Sequence, residues 1–125
     1  MAQPVKKWVA KFTAAKSAMT RNINTLTKMC DEMSILQGND EICNTTLKRL
    51  AENIQAQRET VEQNQRAVVT AGDNLIEVMT EQDAIDEAAT EKSIKDVNTD
   101  IEKNNKKYDV VNTERGKILN KPHSL

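Results

Sequence analysis

Apolar side chains recur at alternating spacings of three and four residues along most of the chain. This spacing places them on one side of an α-helix, and it is the heptad pattern of coiled coils. The first series occupies residues 5–36, the second 43–78 and the third 94–118. The third series is out of frame with the second. The chain therefore either turns between Met79 and Ser93 or continues as one helix with a shifted frame.

Turn signals mark the end of the first helix, whereas no glycine or proline marks the second turn. Gly38 can take the left-handed conformation that ends a helix, and Asn39 or Asp40 can cap the helix that follows. At the second turn, Thr80 and Asp83 resemble a capping box, which marks the start of a helix. The pattern predicts helices A, B and C at about residues 4–37, 40–79 and 83–119.

Each of the three apolar series contains polar residues at seam positions. These residues indicate one alignment of the three helices. If the chain folds back at both turns, Asn22, Gln57 and Asn104 fall in one layer. Such a layer opposes slipped registers, because a slip leaves an amide facing apolar side chains without its hydrogen bonds. We therefore predict an all-α fold: an elongated antiparallel three-helix coiled-coil bundle, up-down-up, over residues 1–120. Residues 121–125 are predicted to form a disordered tail.

The composition agrees with this fold and bounds the class of protein. Aromatic residues make up only 2% of the chain, with three glycines and two prolines, too few turn and strand formers for a β-sandwich or a Rossmann-type sheet. No run of 18 apolar residues is present and lysines interrupt the N-terminal apolar positions, so we expect no membrane span and no signal peptide. With only Cys30 and Cys43 in 125 residues, we expect free thiols in a reducing compartment and a cytoplasmic location.

The charges are unevenly distributed although the net charge is −1. Residues 1–39 carry six bases and two acids, residues 73–102 two bases and ten acids, and residues 103–125 six bases and two acids. Folding back brings opposite charges together, so we expect them to pair within the bundle. Nucleic-acid binding by the basic helix A is the lesser alternative, and no membrane partner is expected.

The residue types that carry chemistry are scattered along the chain. The one histidine, His123, lies in the tail, and neither cysteine has a partner at metal-ligand spacing. The glycines are isolated, so the sequence has no phosphate-binding loop. We expect a protein that is not an enzyme, without catalytic residues, cofactor, metal or small-molecule substrate. The expected interaction surface consists of apolar residues off the seam, namely Val9, Ile23, Val69 and Ile76.

Residues 16–26, KSAMTRNINTL, combine a lysine, an apolar residue followed by Thr-Arg, and a further apolar pair. This segment resembles the helical gag-like region near the start of Pao/BEL-type retrotransposon polyproteins, where a K-x-x-hydrophobic-T-R core precedes long charged helices. The resemblance implies a non-enzymatic structural or assembly region of a mobile-element protein.

Two functional hypotheses are consistent with these features. The first is a structural or self-associating helical module, whose partner is another protein or a second copy of the chain. The second is an adaptor or regulatory bundle, similar to SNARE N-terminal domains or spectrin repeats, that binds a partner helix in a groove. Concentration-dependent oligomers would favour the first, and one discrete helical partner would favour the second.

Overall fold

The structure is a computed structural model that describes residues 3–39, 41–81 and 87–120. Over these ranges the chain forms helices and no strand, which confirms the predicted all-α class. The helices are α1 (Gln3–Gln37), α2 (Asn44–Glu81) and α3 (Glu87–Leu119). They pack on one another as a three-helix bundle around a shared apolar core.

Five core side chains of α2 follow the seven-residue repeat of the sequence. Buried apolar residues occur at every seventh position of this helix: Leu47, Ile54, Val61, Val68 and Leu75. A seven-residue repeat keeps its side chains on one face of a slightly supercoiled helix, so all five face the same seam. The second half of the seam also buries Ala71 and Gly72, where the helices approach closely.

The buried face of α1 is wider than the predicted stripe. Met19, Leu26 and Met33 are buried as the spacing predicts, but Ile23 and Cys30 are buried beside them. A helix in a three-helix bundle contacts two neighbours, so its apolar face must cover more than one heptad stripe. The prediction that Ile23 belongs to an exposed surface was therefore wrong, because this side chain packs on the α3 side of the core.

The connection between α1 and α2 is longer than predicted. The last turn of α1 is closed by bonds from Gly38 N to Ile35 O and from Asn39 N to Leu36 O, at 3.1 and 3.0 Å. Gly38 has no positive φ, so the predicted left-handed ending is not used. The Asn39 side chain accepts a bond from Glu41 N at 2.9 Å, which makes a turn instead of capping a helix. As a result, α2 begins at Asn44, four residues later than predicted.

The second connection falls between α2 and α3, and residues 82–86 lie outside the described ranges. The predicted capping role of Asp83 therefore lies outside them as well. Thr80 does not start a helix: it belongs to the last turn of α2, where its hydroxyl donates to the Ile76 carbonyl at 2.8 Å. The frame change is a fold-back, because the Tyr108 hydroxyl donates to Glu62 at 3.0 Å. A straight helix would hold these residues about 70 Å apart.

No helix in the described part of the chain combines the length and the apolar character that a bilayer span requires. The predicted tail, residues 121–125, and His123 within it lie outside the described ranges.

Candidate interaction surface

A groove runs along the bundle between α1 and α3. It consists of two adjoining depressions of about 490 and 390 Å³, and Lys107 lines both of them. The larger depression is lined mainly by polar and basic side chains, and the smaller one has apolar residues at its base. We name the whole feature the α1/α3 groove, with a basic half and an apolar half.

One ion pair joins the walls of the basic half. Lys16 Nζ on α1 lies 2.6 Å from Asp100 Oδ2 on α3, and both side chains are partly exposed. The same ammonium group lies 4.7 Å from the centre of the Phe12 ring, so it also makes a cation–π contact. A partly exposed pair of this kind stabilises by at most about 1 kcal/mol, but it fixes the level at which α1 and α3 meet.

The other basic side chains of this half are free of internal ion pairs. Arg21 on α1 and Lys103 and Lys107 on α3 are exposed. None of them has an acidic partner within 4 Å among the residues that the structure describes. Three positive charges without an acidic partner, one on the α1 wall and two on the α3 wall, make this half a site of positive potential, which attracts acidic groups.

The apolar half combines a buried floor with one exposed valine. Ile23, Val111 and Ile118 line the depression. Val110 lines the same depression and is 66% exposed. Exposed apolar side chains that continue a groove of this kind mark surfaces where another protein packs.

Two carboxylates stand at the rim of the apolar half. Asp31 on α1 and Glu114 on α3 both line the depression. Glu114 has Lys117 at 3.7 Å, in a loose contact within one helical turn, while Asp31 has no ion-pair partner within 4 Å in the described ranges. The groove therefore carries positive charge at one end and negative charge at the other.

The structure separates the four residues of the predicted interaction surface. Val9 is exposed, whereas Val69 and Ile76 are half-buried and Ile23 is buried at 5% exposure. Ile76 packs against the core, which removes most of it from solvent. The sequence analysis missed two exposed apolar residues, Ile35 and Val110, of which Val110 lines the groove. The same criterion, an apolar residue next to a seam position, would have found it beside Val111.

The structure brings Asn22 and Gln57 together but places Asn104 elsewhere. Gln57 Nε2 donates to the main-chain and side-chain oxygens of Asn22 at 3.0 and 3.2 Å. The third amide of the cluster is Asn64, whose Oδ1 accepts from Asn22 Nδ2 at 2.6 Å. Asn104 is buried on the groove wall, and no side-chain hydrogen bond joins it to another described residue. The polar layer is therefore a cluster between α1 and α2.

This amide cluster predicts opposite effects for one and for three substitutions. Asn22→Leu alone is expected to lower the free energy of unfolding by about 1 to 2 kcal/mol, because Asn64 loses its partner and Gln57 loses the side-chain oxygen of Asn22 while keeping the main-chain one. Replacing all three amides by leucine is expected to raise the melting temperature and to loosen the register. Calorimetry of both variants measures the difference. A triple variant that melts below the single one would contradict the role of the cluster.

Among the described side chains, the predicted pairing of opposite charges is limited to one ion pair between helices, and Asp40, Asp83 and Asp86 lie outside the described ranges. Lys6, Lys7 and Lys11 lie outside 4 Å of any acidic group that the structure describes. Lys11 instead stacks on the Trp8 ring at 4.6 Å from its centre. Among described side chains, Lys16 and Asp100 form the one ion pair that joins two helices. Long lysine side chains gain little from exposed pairing, so they remain in solvent.

Both cysteines are free thiols in different surroundings. Burial raises the pKa of the Cys30 thiol, which lies in the core near the groove. The contact with the Thr46 hydroxyl, 3.5 Å away, lowers the pKa of the exposed Cys43 thiol, with further contributions from main-chain N–H groups at the start of α2. Cys43 therefore reaches its thiolate form at a lower pH than an ordinary cysteine.

Thiol alkylation is expected to proceed in two phases in the native protein. Cys43 reacts first, because its lowered pKa and its exposure make more thiolate available than in an ordinary cysteine, and Cys30 reacts only when the bundle opens. Thr46→Val is expected to shift the pH–rate profile of the fast phase to higher pH. Mass spectrometry of iodoacetamide adducts measures both phases. A fast phase that survives Cys43→Ser would contradict this assignment.

Comparisons with protein-family models, with curated proteins and with solved structures found no match to this chain. Across the described side chains, no three His, Cys, Asp or Glu residues cluster as metal ligands would. The α1/α3 groove and its charges are accordingly the features on which a function can be argued.

Proposed function

We propose that the chain is a non-enzymatic helical module that acts by self-association, and that the α1/α3 groove is its contact surface. The observation that carries the proposal is the exposure of Val110 beside the apolar floor of the groove. A stable interface needs an apolar centre surrounded by polar groups, and the groove has this composition.

The finer architecture belongs to the same proposal: an antiparallel up-down-up coiled-coil bundle. Its support is the order of the contacts. Residues later in α1 contact residues earlier in α2: Phe12 lies beside Gly72, and Asn22 lies beside Gln57. Residues later in α1 contact residues later in α3. Lys16 meets Asp100 there, and Gln37 Nε2 donates to the Ile118 carbonyl at 2.8 Å.

A second copy of the chain suits the groove because both charge signs occur along it. A surface that carries Arg21 and Lys107 toward one end and Asp31 and Glu114 toward the other can complement itself. A strongly basic surface would instead favour a different, acidic partner. Self-association also agrees with the assembly role implied by the gag-like resemblance, in which Lys16 and Arg21 belong to the resembling segment.

Sedimentation equilibrium tests the proposal directly. The wild-type chain is expected to show a concentration-dependent dimer, and Val110→Glu is expected to raise its dissociation constant at least about tenfold, because a carboxylate would be buried without a partner. Ile35→Glu is the matched control: it makes the same kind of change at an exposed apolar residue that does not line the groove.

The adaptor hypothesis is the second candidate, and the apolar half of the groove favours it. A depression of about 390 Å³ with an apolar floor also suits a partner helix that adds a fourth member to the bundle. A wild-type chain that remains monomeric at every concentration would overturn self-association. Capture of one helical partner that Val110→Glu abolishes would then establish the adaptor.

The gag-like relationship and a cytoplasmic location remain part of the proposal. Of the resembling segment, Met19 and Leu26 are core residues, while Lys16, Thr20 and Arg21 line the groove. The segment thus combines a packing face with a contact face, as an assembly helix requires. Electron microscopy of concentrated protein is expected to show ordered assemblies if the gag-like role holds, and dispersed small particles would count against it.

A further inference from the structure

We propose that two copies associate through their α1/α3 grooves about a two-fold axis that runs across the groove, perpendicular to the helices, at the level of Val110. The inference rests on the proposed function and specifies its geometry. Such an axis places α1 against α1 and α3 against α3 of the second copy, each pair running in opposite directions.

On α3, the charges are spaced for this symmetry. Lys107 precedes Val110 by three residues and Glu114 follows it by four, which is about 4.5 and 6 Å along the helix. A two-fold axis at Val110 therefore sets Lys107 opposite Glu114 of the second copy, and the same pair repeats on the other side of the axis. The two Val110 side chains meet at the axis, which buries the exposed valine of each copy.

On α1, an independent pair of charges points to the same level. Arg21 and Asp31 are equally distant from position 26, so an axis there sets each arginine opposite the aspartate of the second copy. Thr27, one residue further along α1, lines the same depression as Val110. The axis inferred from α1 and the axis inferred from α3 thus coincide within about one helical turn.

The other face-to-face arrangement is opposed by the same charges. An axis parallel to the helices would set α1 against α3 of the second copy at equal levels. The Lys16–Asp100 ion pair and the bond from Gln37 to Ile118 fix those levels. Arg21 would then face lysines of the basic half, and Asp31 would face Glu114. Like charges at both ends penalise this arrangement, so the perpendicular axis is favoured.

Charge reversal with mixing tests the two-fold arrangement. Lys107→Glu alone and Glu114→Lys alone are each expected to raise the dissociation constant of the homodimer at least about tenfold, because each places like charges opposite one another twice. An equimolar mixture of the two variants is expected to form a heterodimer of near wild-type affinity, since both contacts are again of opposite sign. A dye on the exposed Cys43 thiol of one variant reports this by fluorescence anisotropy.

Matched controls keep the outcome specific. Lys106→Glu and Glu102→Lys make the same charge changes at exposed positions of α3 that do not line the groove, and they are expected to leave the dimer unchanged. Arg21→Asp and Asp31→Arg repeat the mixing test on α1. Circular dichroism confirms that each variant is as helical as the wild type before its association is measured.

The outcomes separate this inference from the proposed function. If the charge-reversal variants at Lys107 and Glu114 dimerise as tightly as the wild type, or if their mixture forms no heterodimer, the two-fold arrangement is wrong. Self-association itself would still hold in that case. A wild-type chain that never dimerises would overturn both. Restored association in the mixture, with unchanged controls, would establish the arrangement.

Discussion

Replacing Leu26 by alanine is expected to lower the free energy of unfolding by about 2 to 5 kcal/mol. Leu26 is fully buried at 0% exposure near the middle of α1, and it packs within the core that all three helices share. Alanine removes the apolar contacts and leaves a cavity that neighbouring helices cannot fill without shifting. The loss would be a large part of the total stability, because small domains are stable by only about 5 to 15 kcal/mol.

Urea unfolding followed by circular dichroism measures this effect. Ile35→Ala is the matched control, because Ile35 lies on the same helix, is also aliphatic and is 73% exposed. The control is expected to change stability by less than about 0.5 kcal/mol. Equal losses for the two variants would mean that α1 does not pack through the face described here.

Replacing Gly72 by leucine is the second substitution with a large expected effect, a loss of about 1 to 3 kcal/mol or more. Gly72 lies where α2 approaches both neighbours. A Cβ atom there would stand 2.7 Å from Ile101 Cδ1 and 3.1 Å from Phe12 Cε1. The Ile101 methyl group can turn away from a single Cβ atom, but a whole leucine side chain has no room between α1 and α3. The glycine therefore permits the close contact of three helices, although it weakens α2 as a helix.

Gly116 is the matched comparison for Gly72, because it also lies inside a helix. Outside the adjoining backbone of α3, no described atom would stand within 4 Å of its Cβ, so Gly116→Ala is expected to raise stability by about 0.5 to 1 kcal/mol through helix propensity alone. Thermal and urea unfolding of the two variants should give shifts of opposite sign. A Gly72→Leu variant as stable as the wild type would show that the helices do not meet at this level.

The number of helices could be predicted from the turn and register signals together with the heptad spacing. That pattern depends only on which residues can face an apolar seam, and α1 agrees with its predicted bounds within one residue. The start of α2 could not be predicted, because Asn39 can either cap a helix or close a turn. Ile23 was misassigned for a different reason: one apolar stripe describes contact with one neighbour, and α1 has two.

The contact surface was less accessible to sequence analysis than the fold. The sequence indicates which charges exist, but not that long lysine side chains remain in solvent instead of forming cross-helix pairs. It also offered several amides for one polar layer. Whether Asn64 or Asn104 joins Asn22 and Gln57 depends on how each helix is rotated about its own axis. Heptad spacing does not determine that rotation closely enough to decide between them. The groove itself depends on the distance between α1 and α3, which no residue pattern specifies.

Amide chemical shifts recorded over a range of protein concentrations would show whether copies of the chain meet through the α1/α3 groove. We expect concentration-dependent shifts at the groove residues Thr20, Thr27 and Val110, and constant shifts at Lys48 and Thr60 of α2, which do not line the groove. Association through the groove would be contradicted if no shift depends on concentration. It would also be contradicted if the shifts on α2 change while those of the groove residues stay constant.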